Sequence, residues 1–147
     1  MNLIFATRLE TEHELVIFSE KMRNLAPKGS ILLLSGGLSA GKTTLVANFC
    51  RLFGLEIVQS PTYSIHHRYS NSKVVIDHYD LYRLESAEDI ESAGFFDLLN
   101  ASADYKFVEW PDRVKLQDYP QNTSVFLIEI KVAEAGARLL DVYKISN

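Results

Sequence analysis

Residues 36–43, Gly-Gly-Leu-Ser-Ala-Gly-Lys-Thr, match the phosphate-binding pattern G-x-x-x-x-G-K-[ST] in full, and this segment most restricts the possible folds. The apolar run 31–34 before it predicts a buried parallel strand. Residues 44–53 after it predict a helix that ends at Gly54. Because the pattern binds phosphate in this strand–loop–helix context, the sequence predicts an α/β fold built around a phosphate-binding loop.

The residue types in this loop indicate how it would hold a polyphosphate. Its glycines let the backbone approach closely, and the N–H groups at the start of the helix point at the anion with the helix dipole behind them. The Lys42 ammonium can reach the terminal phosphates, and the Thr43 hydroxyl can bind a magnesium ion. We therefore predict that the chain binds a nucleoside triphosphate.

Length and composition are typical of one globular domain, and we predict a single P-loop domain over residues 1–147. The net charge of -4 argues against a general nucleic-acid-coating surface. Cys50 is the one cysteine, which excludes an intramolecular disulfide and favours a small buried residue over a reactive thiol. The acidic N-terminal segment indicates no signal peptide, and no stretch approaches the roughly 20 apolar residues of a membrane span. We expect a cytoplasmic location.

The remaining pattern predicts a mixed β-sheet flanked by helices. An amphipathic helix is expected over 11–25, where Thr11 and Glu14 form a capping box, and a short helix is expected over 86–93. Asn71 and Ser72 indicate a hairpin turn. Further strands are expected at 3–5, 65–69, 73–80, 105–109, 123–132 and 139–145.

A P-loop needs a second carboxylate to hold magnesium and orient a water, usually at the end of an apolar strand. Two strands offer one: the first runs into Asp77 and Asp80, and the second runs into Glu109. The alternative for each acid is a solvated position at a strand end.

Three further features leave alternatives open. Residues 60–62, Ser-Pro-Thr, suit either a loop that senses the terminal phosphate or an ordinary turn. Trp110 can stack on a base or fill the core. His66 and His67 alternate faces on a strand, so both cannot point into one site, and a zinc site is not expected.

Four segments in the observed order and spacing resemble the TsaE family, small bacterial ATPases of tRNA threonylcarbamoyladenosine biosynthesis. They are residues 36–44, 60–62, the segment His-Tyr-Asp-Leu-Tyr-Arg-Leu at 78–84, and Glu-Trp-Pro at 109–111. The resemblance implies a P-loop α/β fold, ATP and magnesium as ligands, and partnership with the proteins TsaD and TsaB. Those partners carry the transfer of a threonylcarbamoyl group to adenosine 37 of tRNA, so tRNA is met indirectly through the complex.

The resemblance also implies residue roles. Lys42, Thr62 and Asp80 are implied as activity residues, and Thr43 and Glu109 as magnesium ligands. Nucleotide contacts are implied for Thr11, Gly37, Leu38, Ser39, Ala40, Gly41, Lys42, Thr43, Thr44, Trp110 and Arg138. For Thr11 the capping role is an equal explanation, and for Arg138 the match to a C-terminal Gly-Arg feature is interrupted by Ala137.

Two loop positions depart from the family. The family usually has an acidic residue at position 37 and a glycine at position 39, where this chain has Gly37 and Ser39. Both positions are variable in the phosphate-binding pattern, so the pattern is intact. A non-glycine at position 39 restricts the backbone angles of the loop, which bears on ATP affinity.

Three functions follow from these patterns: an ATPase acting through a tRNA-modifying complex, a small-molecule kinase, and a nucleotide-binding module without hydrolysis. Kinases of this class need several arginines in a lid over the phosphates. The arginines after Thr43 are scattered, at Arg51, Arg68, Arg83, Arg113 and Arg138. The scattered arginines therefore favour the ATPase over the kinase, and the resemblance implies that this ATPase is slow alone and is not itself the transferase.

Overall fold

Seven strands and four α-helices form the computed structural model of the chain, which describes residues 1–56, 58 and 64–145. The strands are β1 (Asn2–Leu9), β2 (Ser30–Ser35), β3 (His66–Ser70), β4 (Val75–Asp80), β5 (Tyr105–Glu109), β6 (Val125–Val132) and β7 (Arg138–Ile145). The helices are α1 (Glu12–Leu25), α2 (Lys42–Arg51), α3 (Ala87–Ser92) and α4 (Phe95–Leu99). Short 3-10 turns at Pro111–Arg113, Leu116–Asp118 and Glu134–Gly136 lie between the later strands.

All seven strands belong to one mixed sheet with the order β1-β7-β6-β2-β5-β4-β3. The four inner strands β6, β2, β5 and β4 are parallel. Antiparallel neighbours complete both sides: β7 and β1 beyond β6, and β3 beyond β4. The predicted mixed sheet with flanking helices is confirmed, and the carboxyl ends of the parallel strands meet at one edge of it.

Strand β2 is buried on both faces, which explains why it reads as a continuous apolar run. Leu32 and Leu34 belong to the core cluster that includes buried residues of α1 and α2. Ile31 and Leu33 belong to the opposite cluster, which includes buried residues of α3 and α4. The alternation of a strand thus divides one run of residues between two helical layers.

The cap predicted at Thr11 and Glu14 forms, and Ser86 caps a second helix. Thr11 Oγ1 accepts a hydrogen bond from the Glu14 backbone N–H at 3.1 Å, which begins α1. Ser86 Oγ does the same for the Asp89 N–H at 3.0 Å, which begins α3. After α2, Gly54 adopts a left-handed φ of 84°, as expected of a residue that ends a helix.

Helix α4 was not expected from the sequence. It follows Gly94, whose φ of 76° turns the chain after α3, and its five residues bury Phe95 and Leu99. Five residues are too few to show a helical period, so only the tertiary packing reveals this element. No helix in the described part of the chain has the length and apolar character needed to cross a membrane.

Two predictions about single side chains are also confirmed. Cys50 is fully buried, and burial raises the pKa of its thiol to about 12, so it is a core residue and not a reactive thiol. His66 and His67 have different surroundings, as alternation requires. The His66 ring bonds to Asp77 at 2.8 Å, and the His67 ring packs edge-on against Tyr69.

Candidate nucleotide-binding site

A cavity of about 350 Å³ opens at the carboxyl edge of the parallel strands, between the loop after β2 and the ends of β4 and β5. This edge is where open α/β sheets bind their ligands. The cavity is lined by Leu38, Ser39, Ala40, Gly41, Lys42, Thr43, Thr44, Asp80, Tyr82, Glu109, Trp110 and Arg138. The structure thus brings together most of the residues that the sequence singled out.

The loop after β2 has the backbone shape that its glycines allow. Gly41, with a φ of 106°, turns the chain into α2. At Gly36 a Cβ atom would lie 2.8 Å from the Ile130 carbonyl oxygen, so only glycine fits there without a shift. Ser39 is also left-handed, with a φ of 64°, at the position where the family usually has glycine. The first residues of α2, Lys42, Thr43 and Thr44, line the cavity, so the N-terminus of this helix borders it.

Lys42 lies across this concavity and is bonded to its own loop. Its Nζ donates to the carbonyl oxygens of Gly36 at 2.6 Å and Gly37 at 3.0 Å. The same ammonium lies 4.3 Å from the centre of the Trp110 ring. Burial lowers the pKa of Lys42, while nearby carboxylates, Glu109 first among them, act in the opposite direction. The Lys42 side chain is therefore held across the mouth of the loop by the loop's own carbonyl oxygens.

Trp110 lies in the wall of the cavity and is half-buried. Its ring lies 5.0 Å from that of Tyr82 and within cation–π distance of Lys42. The sequence left open whether this side chain fills the core or meets a ligand. The observed position of Trp110 fits both roles. Its ring packs against Tyr82 and the core cluster, and its side chain also lines the cavity.

Glu109, at the end of β5, is hydrogen-bonded to Thr43 at the start of α2. Its Oε2 accepts a hydrogen bond from the Thr43 hydroxyl at 3.0 Å. The Glu109 residue is only 3% exposed. The His78 ring nitrogen Nε2 contacts the same oxygen at 2.5 Å. A hydroxyl and a carboxylate in this arrangement are oxygen ligands of the kind that Mg²⁺ prefers, and Thr43 and Glu109 could hold one.

Asp80 lies beside Glu109 in the register of β4 and β5 and lines the same cavity. Its Oδ1 accepts a hydrogen bond from the Tyr82 N–H at 3.0 Å. Asp77, three residues earlier, is outside the cavity lining: it is fully buried and bonded to His66 and Arg68. Of the two carboxylates predicted on this strand, only Asp80 is therefore available to a ligand in the cavity.

Arg138 contacts the loop backbone. Its Nε donates to the Ala40 carbonyl oxygen at 2.8 Å, and its Nη1 donates to that of Gly136 at 2.7 Å. A weaker contact of 3.4 Å joins Nη2 to the Ser39 carbonyl oxygen. From the start of β7, Arg138 thus holds the phosphate-type loop in place through hydrogen bonds to its carbonyl oxygens, a role that the sequence did not suggest.

Three further predicted residues remain: Thr11, Gly37 and Thr62. Thr11 lines an adjoining cavity of about 240 Å³ that shares Ala40, Gly41, Thr44 and Arg138 with the first. Gly37 belongs to the loop through its carbonyl contact with Lys42. Thr62 lies outside the described residues. Sequence reasoning missed His78 as a site residue, although strand alternation places it on the same face as Asp80.

A phosphate-type loop at the carboxyl edge of a parallel sheet, with an acid at the end of the next strand, defines an α/β protein of the P-loop type. The chain belongs to the TsaE family: the family model described as Threonylcarbamoyl adenosine biosynthesis protein TsaE matches residues 9–140. It is thus a member of a family of tRNA threonylcarbamoyladenosine biosynthesis proteins, and the resemblance seen in the sequence is confirmed.

Individual relatives agree over nearly the whole chain. The TsaE protein of Rickettsia prowazekii is 32% identical over 142 residues, 94% of this chain and 91% of the relative. That of Aquifex aeolicus is 27% identical over 147 residues, 98% of this chain and 99% of the relative. A crystal structure of Bacillus subtilis YdiB matches with a TM-score of 0.71 and 22% identity, covering 100% of this chain and 90% of that one. The structural match supports the α/β fold.

Proposed function

We propose that this protein binds ATP with magnesium and hydrolyses it slowly, and that hydrolysis serves the TsaD–TsaB complex that modifies adenosine 37 of tRNA. The observation that carries the proposal is the convergence of Lys42, Thr43 and Glu109 on one cavity at the start of α2. Membership of the TsaE family supports the link to tRNA modification.

The loop and α2 are the proposed phosphate-binding elements. The N–H groups at the start of α2 would stabilise phosphate charge through hydrogen bonds and the helix dipole. The Lys42 ammonium would exchange its two carbonyl partners for phosphate oxygens. Thr43 and Glu109 would hold magnesium, which when bound neutralises phosphate charge. Asp80, at the end of β4, is the group proposed to accept a proton from a water or orient it.

The site is less suited to a small-molecule kinase. A phosphotransferase of the P-loop class surrounds the transferring group with arginines. Among the described residues Arg138 is the arginine that lines the cavity, and its donors are directed to loop carbonyl oxygens. Arg68 is paired with buried Asp77 elsewhere in the sheet. These contacts favour hydrolysis over transfer to a small acceptor.

The first prediction tests phosphate binding with a matched pair of lysines. Lys42→Ala should weaken ATP binding at least tenfold, because it removes the one lysine in the cavity lining without removing a core side chain. Lys144→Ala is the control, since Lys144 also lies over an aromatic ring, Phe126, and donates a hydrogen bond, to Ser124. Titration calorimetry on both folded variants gives the affinities.

Unchanged ATP affinity in folded Lys42→Ala protein would place the phosphate site elsewhere. Turnover then separates the remaining functions. Slow ATP hydrolysis by the protein alone that changes when TsaD and TsaB are added is the expected result. Phosphate transfer to a small acceptor would indicate the kinase, and ATP binding with no turnover in either setting would indicate a non-hydrolysing module.

A further inference from the structure

His78 is a fully buried histidine that connects the proposed metal site to the edge of the sheet. Its Nε2 lies 2.5 Å from Oε2 of Glu109, and its Nδ1 lies 3.2 Å from the hydroxyl of Tyr69 on β3. Strand pairing brings these groups together, because β4 lies between β3 and β5 in the sheet. The ring is therefore held at both nitrogens.

The chemistry of Glu109 determines which ring nitrogen of His78 donates to it. An ionised carboxylate only accepts hydrogen bonds, so the proton between His78 and Glu109 belongs to Nε2. In the neutral ring Nδ1 is then the acceptor, and the Tyr69 O–H can donate to it. In this tautomer the donors run from Tyr69 through His78 to Glu109, and the Tyr69 hydroxyl also lies 3.5 Å from Nδ1 of His67.

We propose that His78 is a positioning residue for Glu109: it holds the carboxylate in the orientation that magnesium requires, and Tyr69 fixes the ring tautomer. The proposal rests on the proposed magnesium–ATP function. Its physical basis is that Oε2 receives two hydrogen bonds, from Thr43 and from His78, on different elements. Two donors converging on one oxygen restrict rotation of the carboxyl group about its side chain. Groups that orient a metal ligand in this way typically contribute about 10–100-fold to metal affinity.

The test compares variants that keep or remove the donor. His78→Gln retains an amide N–H that can reach Glu109, and His78→Leu fills the space without a donor. Tyr79→Phe is the control. It removes a tyrosine hydroxyl from the same strand, but this hydroxyl donates to the Leu98 carbonyl oxygen and does not contact Glu109 or His78 in the described hydrogen bonds. ATP affinity is measured for each protein in EDTA and over a magnesium titration.

We expect His78→Leu to keep its ATP affinity in EDTA within about twofold and to lose about tenfold of its apparent magnesium affinity. His78→Gln should recover most of that loss, and Tyr79→Phe should match the parent. A folded His78→Leu protein with the parent's magnesium dependence would overturn the proposal. So would equal losses in the glutamine and leucine variants, which would indicate a packing role.

A second measurement needs neither metal nor nucleotide. Nitrogen NMR of the parent protein reports which ring nitrogen of His78 carries the proton, and we expect Nε2. A proton on Nδ1 alone would overturn the proposal even if His78→Leu does not fold. If the parent shows the Nε2 tautomer but no magnesium-dependent ATP binding, the proposed function fails while the Tyr69–His78–Glu109 arrangement stands, so the two failures are distinguishable.

Discussion

Ser39 adopts a left-handed backbone conformation, with a φ of 64°, in the loop that the proposed function assigns to phosphate. A side chain in this conformation costs roughly 1–2 kcal/mol, whereas glycine adopts it freely. Against this gain, glycine lowers the free energy of unfolding by about 0.4–1 kcal/mol, because it increases the entropy of the unfolded chain. Ser39→Gly should therefore raise the free energy of unfolding by up to about 1.6 kcal/mol and tighten ATP binding, measured by urea denaturation and ATP titration.

Ser39→Ala is the matched control for this change. It removes the hydroxyl but keeps Cβ, so it should leave both quantities close to the parent's values. A gain in the alanine variant equal to that in the glycine variant would show that the hydroxyl, and not the backbone angle, limits the loop.

At the level of single residues, sequence predicts best what depends on neighbours in the chain. Lys42 and Thr43 follow from an eight-residue pattern, and Glu109 follows from its place at the end of an apolar strand. The contact of His78 with Glu109 joins residues 31 apart, and that of Arg138 with Ala40 joins residues 98 apart. No local pattern encodes such pairs. The hydrogen bonds of Arg138 to the loop and of His78 to Glu109 therefore become visible only once the strands are paired.

The hairpin of β3 and β4 contains an ion pair between the buried Asp77 carboxylate and the exposed Arg68 guanidinium, which should make stability depend on pH. Burial alone would raise the pKa of the Asp77 carboxyl, but hydrogen bonds from His66 and Arg68 outweigh burial and hold the pKa at about 2. Both carboxylate oxygens are engaged, since Arg68 donates to one at 2.9 Å and to the other at 3.0 Å.

The direction of the pH effect follows from proton uptake. Because the folded pKa is lowered, the unfolded chain binds the proton first as the pH falls. The stabilisation is complete above about pH 5 and is lost between there and about pH 2, by about 2 kcal/mol in total. Asp77→Asn should flatten this part of the profile in urea denaturation at several pH values. The exposed acid Asp118, changed to Asn, should leave the profile unaltered, and an unchanged slope in Asp77→Asn would contradict the assignment.

Helices and strands differ in how far sequence predicts them. Capping residues place the start of α1 and α3 because the cap bonds lie within one helical turn. The order of the strands is set by contacts between distant segments, so a mixed sheet could be predicted but its order could not. Helix α4 was missed since its five residues show no period and its burial depends on the sheet beneath it.

At the scale of the whole molecule the proposed function separates nucleotide binding from its use by the partners. Asp80→Ala should leave ATP affinity within about threefold, because the loop amides and Lys42 supply that binding. Hydrolysis should fall about a hundredfold if Asp80 is the proton acceptor. In a reconstituted reaction with TsaD and TsaB, modified adenosine should then stop near one per complex. The measurement pairs ATP hydrolysis with modified adenosine over time.

Asp112→Ala serves as the control, since the Asp112 carboxylate, like that of Asp80, favours a higher pKa of Lys42 but does not line the cavity. It should support repeated rounds at the parent's rate. Repeated rounds by Asp80→Ala despite lost hydrolysis would disprove the idea that ATP cleavage drives the cycle.

The cavity and the turn before β4 lie at opposite ends of the parallel strands. Leu34, Glu109 and Asp80 occupy one row at the carboxyl edge, whereas the turn before β4 lies a strand length away, about 15–20 Å. Exposed Ser72 lies in that turn, and the chain's one cysteine, Cys50, is buried with a thiol pKa of about 12. Ser72→Cys would thus accept a maleimide fluorophore without removal of the native thiol, giving a label that reports on assembly from the end opposite the cavity.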